Sequence, residues 1–161
     1  METRKHIINA TVENQPAVLS RIVGLFSGRG YNIETLNVGP CADPRFSRMT
    51  ITVPGDEHVL EQVLKQLNKL VDVVKVVDLT AEKHIARELV LVEVGAPKLK
   101  RPEVTGIADL FGAEVVGVRE TTLTLQFVGI EDQVDDFLRM LRPYTIVNLA
   151  RSGLLAVLKG D

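Results

Sequence analysis

Asn14, Pro16, Ala17 and Val18 crowd the start of an apolar-striped helix in the stretch "ENQPAVLSRIVGLF". A helix start carries backbone N–H groups with no intrahelical acceptor and the positive end of the helix dipole, a combination that suits a carboxylate. Pro16 has no N–H, and its fixed φ suits an early helical position. The donors therefore come from Ala17 and Val18, with Asn14 beside them. Asn32, just beyond the helix, offers an amide oxygen to an ammonium group. Carboxylate donors together with an ammonium acceptor describe the recognition of a free amino acid. An asparagine ahead of a proline-started helix is equally ordinary capping chemistry, and spacing alone does not choose between the two.

The elements that hold this turn follow from hydrophobic periodicity. "HIINATVE" puts Ile8, Ala10 and Val12 on one face and Asn9, Thr11 and Glu13 on the other, a half-buried strand. Leu19, Ile22, Val23 and Phe26 then repeat at helical spacing, and Gly30 stands where a left-handed helix-ending residue belongs. "NIETLNVGP" and "SRMTITV" read as strands joined by the loop "CADPRF". "DEHVLEQVLKQLNKL" reads as a helix with Leu60, Val63, Leu64 and Leu67 on one stripe, and "VDVVKVVDL" as a strand. The order is β-α-β-β-α-β, the split βαβ plan of ferredoxin-like folds.

The plan then repeats. "RELVLVEV" is a strand, "PEVTGIADLFG" a helix with Pro102 near its start and Gly112 near its end, and "AEVVGVRE" and "TLTLQFVG" two more strands. "EDQVDDFLRMLRPY" is the second helix, and "IVNLARSG" or "LLAVLK" closes the sheet. The expected fold class is α+β, two tandem ferredoxin-like βαββαβ units: a first domain over 1–79, a linker over 80–86 and a second domain over 87–161. Units of this size bury little core alone, so docking against each other or a second chain is expected. The first strand-to-helix turn, "ENQPAV", differs from its counterpart "GAPKLKRPEV", which has neither the asparagine nor the short approach to the helix. Only the first looks built for a ligand.

Composition removes several function classes. Among 161 residues 45% are apolar and 25% charged, as in a globular chain, and a net charge of −2 provides no basic field for nucleic acid or anionic lipid. The strands equivalent to the base-stacking strands of RNA-binding domains, "SRMTITV" and "RELVLVEV", hold no aromatic residue. No apolar run is long enough to span a bilayer, the first residues lead straight into a strand without a secretory pattern, and Cys41 is the single cysteine, so a cytoplasmic location is expected. Cys41 reads as a bland packed or loop thiol. His6, His58 and His84 fall in separate elements without metal-ligand spacing and read as surface or edge residues. Asp135 and Asp136, with Glu131 and Asp132, read as a solvated helix face. No phosphate-gripping glycine-rich loop precedes either helix. No catalytic residue and no metal ligand is therefore expected.

The ordered series "LSR…LF…RGYNIE…DP…SRMTI…QLNKL", with "RELVLVEV" and "ARSG" further on, resembles the small regulatory subunit of acetolactate synthase (acetohydroxyacid synthase) over essentially the whole chain. The resemblance implies that the first domain is an ACT domain and that the chain acts in branched-chain amino acid biosynthesis (valine, leucine and isoleucine). It implies a chain without an active site that activates a catalytic large subunit, which uses thiamine diphosphate, magnesium and FAD, and that imposes feedback inhibition by valine. It also implies a homodimer through ACT domains with valine between two chains. Asn14, Ala17, Val18 and Asn32 then fall on valine-contacting positions, and Ser20 on a position that sets feedback sensitivity. The family usually has glycine where this chain has Ala17, which puts the choice among valine, leucine and isoleucine in question. Arg45, Phe46 and Arg48 are candidates for partner contact, since arginine and aromatic residues anchor interfaces; Arg48 can equally decorate the solvent side of its strand. The alternative reading is a stand-alone ACT amino-acid sensor that regulates another enzyme.

Overall fold

The computed structural model describes residues 4–160. Its elements are β1 (Arg4–Glu13), α1 (Val18–Gly28), β2 (Thr35–Pro40), β3 (Phe46–Gly55), α2 (Glu57–Asn68) and β4 (Val73–Asp78). There follow β5 (His84–Gly95), α3 (Arg101–Phe111), β6 (Glu114–Val118), β7 (Thr122–Gly129), α4 (Glu131–Leu141), a 3-10 turn (Arg142–Tyr144), β8 (Ile146–Arg151) and β9 (Leu155–Leu158). The fold is the expected α+β one, with the β-α-β-β-α-β order present twice. One sheet runs β2-β3-β1-β4 and the other β6-β7-β5-β8, with β9 also pairing with β5.

Two compact units result: residues up to Ala86 together with the segment from Leu154 onward, and Arg87–Gly153. The expected second domain, residues 87–161, thus ends in a segment that packs with the first unit. The expected linker, 80–86, runs into β5 at His84. Between the two candidate closing strands, β8 completes the second sheet beside β5, and β9 belongs to the first unit.

In the first unit, Ile8, Ala10 and Val12 of β1 and Met49, Ile51 and Val53 of β3 meet Ile22 and Phe26 of α1 and Leu60, Val63 and Leu67 of α2. Burying each large side chain contributes roughly 1.5–3 kcal/mol. The buried stripe of α1 is Val18, Ile22 and Phe26, not one that begins at Leu19, which is 45% exposed. Gly30 ends the helix region at φ +70, the left-handed conformation its position predicted. Asp56 caps α2, its Oδ1 accepting from the Val59 amide at 3.0 Å. Asp56→Ala should cost about 1 kcal/mol of stability, read as a lower urea midpoint at unchanged slope.

His6 corrects the surface reading given to the histidines. It is fully buried, its Nε2 3.1 Å from the Gly55 carbonyl oxygen and its Nδ1 without a partner among the described residues. His6 continues the alternation of Ile8, Ala10 and Val12 and so points to the same covered face. His58 is exposed and His84 half-buried.

The polar face of the first sheet is not solvated either. Asn9, Thr50 and Thr52 are all buried. The segment around β9 covers part of this face: Asn9 Nδ2 donates to the Ala156 carbonyl at 2.9 Å, Asn37 Nδ2 to the Leu154 carbonyl at 2.9 Å, and Thr50 Oγ1 to Asn9 Oδ1 at 3.0 Å. Buried amides are tolerated here because each finds a partner.

In the second unit, alternate residues of β5 and β7 (Val90, Val92 and Val94; Leu123, Leu125 and Phe127) pack against Val104, Ile107 and Ala108 of α3 and Val134, Phe137, Leu138 and Leu141 of α4. Phe111, Phe127 and Phe137 form an aromatic cluster with ring centroids 5.0–5.9 Å apart. Glu88, only 4% exposed, is held by Arg151 through two bonds of 2.8 and 2.9 Å, and Arg151 also donates to Asp135 at 3.0 Å. These carboxylates, Glu88 foremost, push the guanidinium pKa further above its ordinary value. Asp135 and Asp136 remain exposed but are committed to Arg151 and Arg139.

Candidate functional site

The turn between β1 and α1 is tied down from below. The Asn14 amide donates to the Arg45 carbonyl at 2.8 Å, and Asn14 Nδ2 donates to the Pro44 carbonyl at 3.0 Å. The Asn14 side chain thus uses its amide group on the protein and keeps its oxygen available. Pro16 lies in the turn before the helix, not inside it. The first intrahelical bond runs from the Arg21 amide to the Ala17 carbonyl at 3.0 Å.

No side chain caps α1, and its first turn holds no acidic residue. The Val18 amide reaches only the Gln15 carbonyl, at a long 3.4 Å. Among the described residues the amides of Ala17, Leu19 and Ser20 have no acceptor. This is the arrangement in which a helix start accepts an anion from outside. Val18 itself is buried, so only its backbone belongs to the turn's surface, and Ser20 is exposed on the helix.

Ala17 has φ 68 and ψ −1. An L residue in this left-handed region costs roughly 1–2 kcal/mol, whereas glycine occupies it freely. A glycine preference at this position therefore has a backbone reason as well as a spatial one. Ala17→Gly should raise stability by about 0.5–1 kcal/mol, after the greater freedom of glycine in the unfolded chain is subtracted. A higher urea midpoint would show it.

Asn32 is exposed in the segment that leads to β2. It follows the far end of α1, an 11-residue helix about 16 Å long. Strand register agrees: the Glu34 amide bonds to the Thr52 carbonyl, while Asn14 sits beside Arg45, seven positions earlier around β3. Within one chain the two asparagines do not converge.

The loop before β3 is locally closed. The Arg45 guanidinium grips Asp43 at 2.6–3.0 Å and lies 5.6 Å from the Phe46 ring centroid. Hydrogen bonds from the Arg45 side chain and backbone hold the Asp43 carboxyl below its usual pKa. Arg48 is exposed on β3 and Phe46 half-buried. Cys41 is a half-buried free thiol.

The equivalent mouth of α3 is occupied by the protein itself. Arg101 donates to the carbonyls of Ala96, Arg119 and Glu120, and Glu103 stands in the first turn with Lys100 and Tyr144 on its carboxylate. Arg101 is the residue that sequence reading missed there, because its carbonyl acceptors lie just past the ends of β5 and β6. Among the described residues no group of three or more His, Cys, Asp or Glu could hold a metal ion, and no helix is long and apolar enough to cross a membrane.

Residues 8–75 match the family model described as the AHAS small subunit-like ACT domain, and residues 87–160 match the one described as small subunit of acetolactate synthase. The chain belongs to the acetolactate synthase small-subunit family. The acetolactate synthase small subunit of Haemophilus influenzae is 46% identical to it, over 98% of this chain and 97% of that one. A probable acetolactate synthase small subunit of Archaeoglobus fulgidus is 45% identical over 98% of both. The crystal structure of the small subunit from Thermotoga maritima superposes with a TM-score of 0.90 at 30% identity, covering 98% of this chain and 99% of that one. The family expected from the ordered sequence strings is the family found, and its ACT fold is that of the first unit.

Proposed function

We propose that this chain is the regulatory subunit of an acetolactate synthase, in which it activates a catalytic large subunit and makes it sensitive to valine. The supporting observation is the uncapped start of α1 beside Asn14, where the amides of Ala17, Leu19 and Ser20 have no acceptor among the described residues and that of Val18 only a long contact to Gln15, in a family whose relatives are named as small subunits of that enzyme. Valine's carboxylate meets the amides of Ala17 and Val18, and the Asn14 oxygen receives its ammonium group. Asn32, at the other end of α1, completes the ring from a second copy, so the effector sits between two ACT domains of a homodimer. Ser20, exposed one helical turn on, tunes sensitivity. The effector domain is residues 1–79, joined by the segment from Leu154 onward, and the second domain begins at 87 after the link 80–86. The chain lacks a catalytic site of its own; thiamine diphosphate, magnesium and FAD belong to the catalytic subunit, in the cytoplasm. The loop through Arg45 and Phe46, with Arg48 adjoining it, faces that partner.

Regulation then follows from linkage. Valine that binds one arrangement of the dimer more tightly than another shifts the attached catalytic subunit toward its less active state. A coupling of roughly 1–3 kcal/mol corresponds to about five- to 150-fold in affinity, and the reciprocal effect of the partner on valine binding is of equal size. Mixing the purified chain with the catalytic subunit should raise specific activity, and valine should reverse that gain. Calorimetry with and without the partner should give different valine affinities; equal ones contradict the linkage. Valine binding without co-purification or activation would select the stand-alone sensor instead.

A further inference from the structure

The polar face of the first sheet carries a small cleft of about 170 Å³. Its floor is set by strand register. Thr11 on β1 stands opposite Arg48 on β3 and opposite Lys75 on β4, so the three residues form one row across adjacent strands on one face. With strands about 4.8 Å apart, the two cations flank Thr11 at roughly 10 Å between Cα atoms, and both side chains are long enough to converge over it. Asn9 forms the next row, and Val157 and Leu158 of the closing segment wall the cleft.

Neither cation is neutralised. The side chains of Arg48 and Lys75 form no ion pair or hydrogen bond among the described residues, and neither does the Thr11 hydroxyl. The carboxylates nearest along β4 are committed elsewhere, Asp72 to Arg21 and Asp78 to the Thr80 amide. Glu13, two residues along β1 on the same face, pairs with neither cation. Two like charges held on one floor repel each other. An anion between them relieves that repulsion. The guanidinium offers a planar fork, the ammonium a point charge and the threonine a hydroxyl donor, the donor set that a tetrahedral oxyanion uses.

We propose that this cleft binds a small phosphate-class oxyanion, held between Arg48 and Lys75 with the Thr11 hydroxyl as the third donor. A volume of about 170 Å³ is enough for a phosphate or pyrophosphate. No residue that lines the cleft is among the proposed valine contacts, and Arg48 is shared with the proposed partner-facing region.

Titrating the full chain with inorganic phosphate and with pyrophosphate, at ionic strength held constant with chloride, should give saturable binding by calorimetry and broadened phosphorus resonances. Arg48→Ala with Lys75→Ala should weaken that binding at least about tenfold, since two charge-assisted contacts are removed. Thr11→Val should weaken it less. Arg48 and Lys75 are exposed, so the double variant should keep its circular dichroism spectrum and its unfolding midpoint in chloride. Anion binding that does not saturate, that chloride matches, or that the double variant retains in full overturns the proposal.

Discussion

Asn14→Ala is expected to raise the valine concentration needed for half-inhibition about ten- to 150-fold while leaving activation of the catalytic subunit in place. The replaced oxygen is the one group of this side chain not already used, since Nδ2 is bonded to the Pro44 carbonyl. A hydrogen bond to a charged group is worth about 1.5–3 kcal/mol, which sets the range. The fold should tolerate the change, because the lost tie to Pro44 is exposed and contributes on the order of 1 kcal/mol. Asn14→Asp separates the two roles: it keeps an oxygen for the ammonium group but places a negative charge beside the ligand's carboxylate. Its loss of inhibition should be at least as large. Activity titrations of the reconstituted enzyme would decide, and a variant that loses activation and inhibition together would point to a collapsed turn instead of a missing ligand contact.

Arg151→Met should destabilise the second unit by about 3 kcal/mol. Glu88 is almost fully buried and its two oxygens depend on the Arg151 guanidinium, so the substitution strands a carboxylate in the interior. Breaking a buried pair from one side costs about 3–5 kcal/mol, and the lower end applies because Arg151 is itself a third exposed. Adding Glu88→Gln should recover part of the loss, since an amide tolerates burial better than an unpaired charge. Urea unfolding of Arg151→Met, Glu88→Gln and the double variant measures both effects; additive losses would show that the two residues act independently.

The sequence string "ARSG" thus contains a structural residue whose purpose was invisible in one dimension. Its partner Glu88 shares the alternation of the buried Val90, Val92 and Val94, and only the pairing of β5 with β8, which places Val90 opposite Arg151, brings the two together. The same holds for Arg101, whose bonds to the carbonyls of Ala96 and Glu120 fill the mouth of α3.

What the sequence by itself determined is local and periodic. Alternation in β1 and β3, the helical stripes, Gly30 and Gly112 at helix ends and the doubled βαββαβ order all rest on interactions within a few residues, or on which side chains share a face. The short strings kept in order were enough to identify the family. Alternation does not say what lies over a face, and there the tertiary structure decided. The polar side of the first sheet is buried under the segment around β9, His6 is enclosed, and the α1 stripe is rotated toward Val18. Each of these outcomes depends on contacts between residues far apart in the chain, which no local pattern encodes.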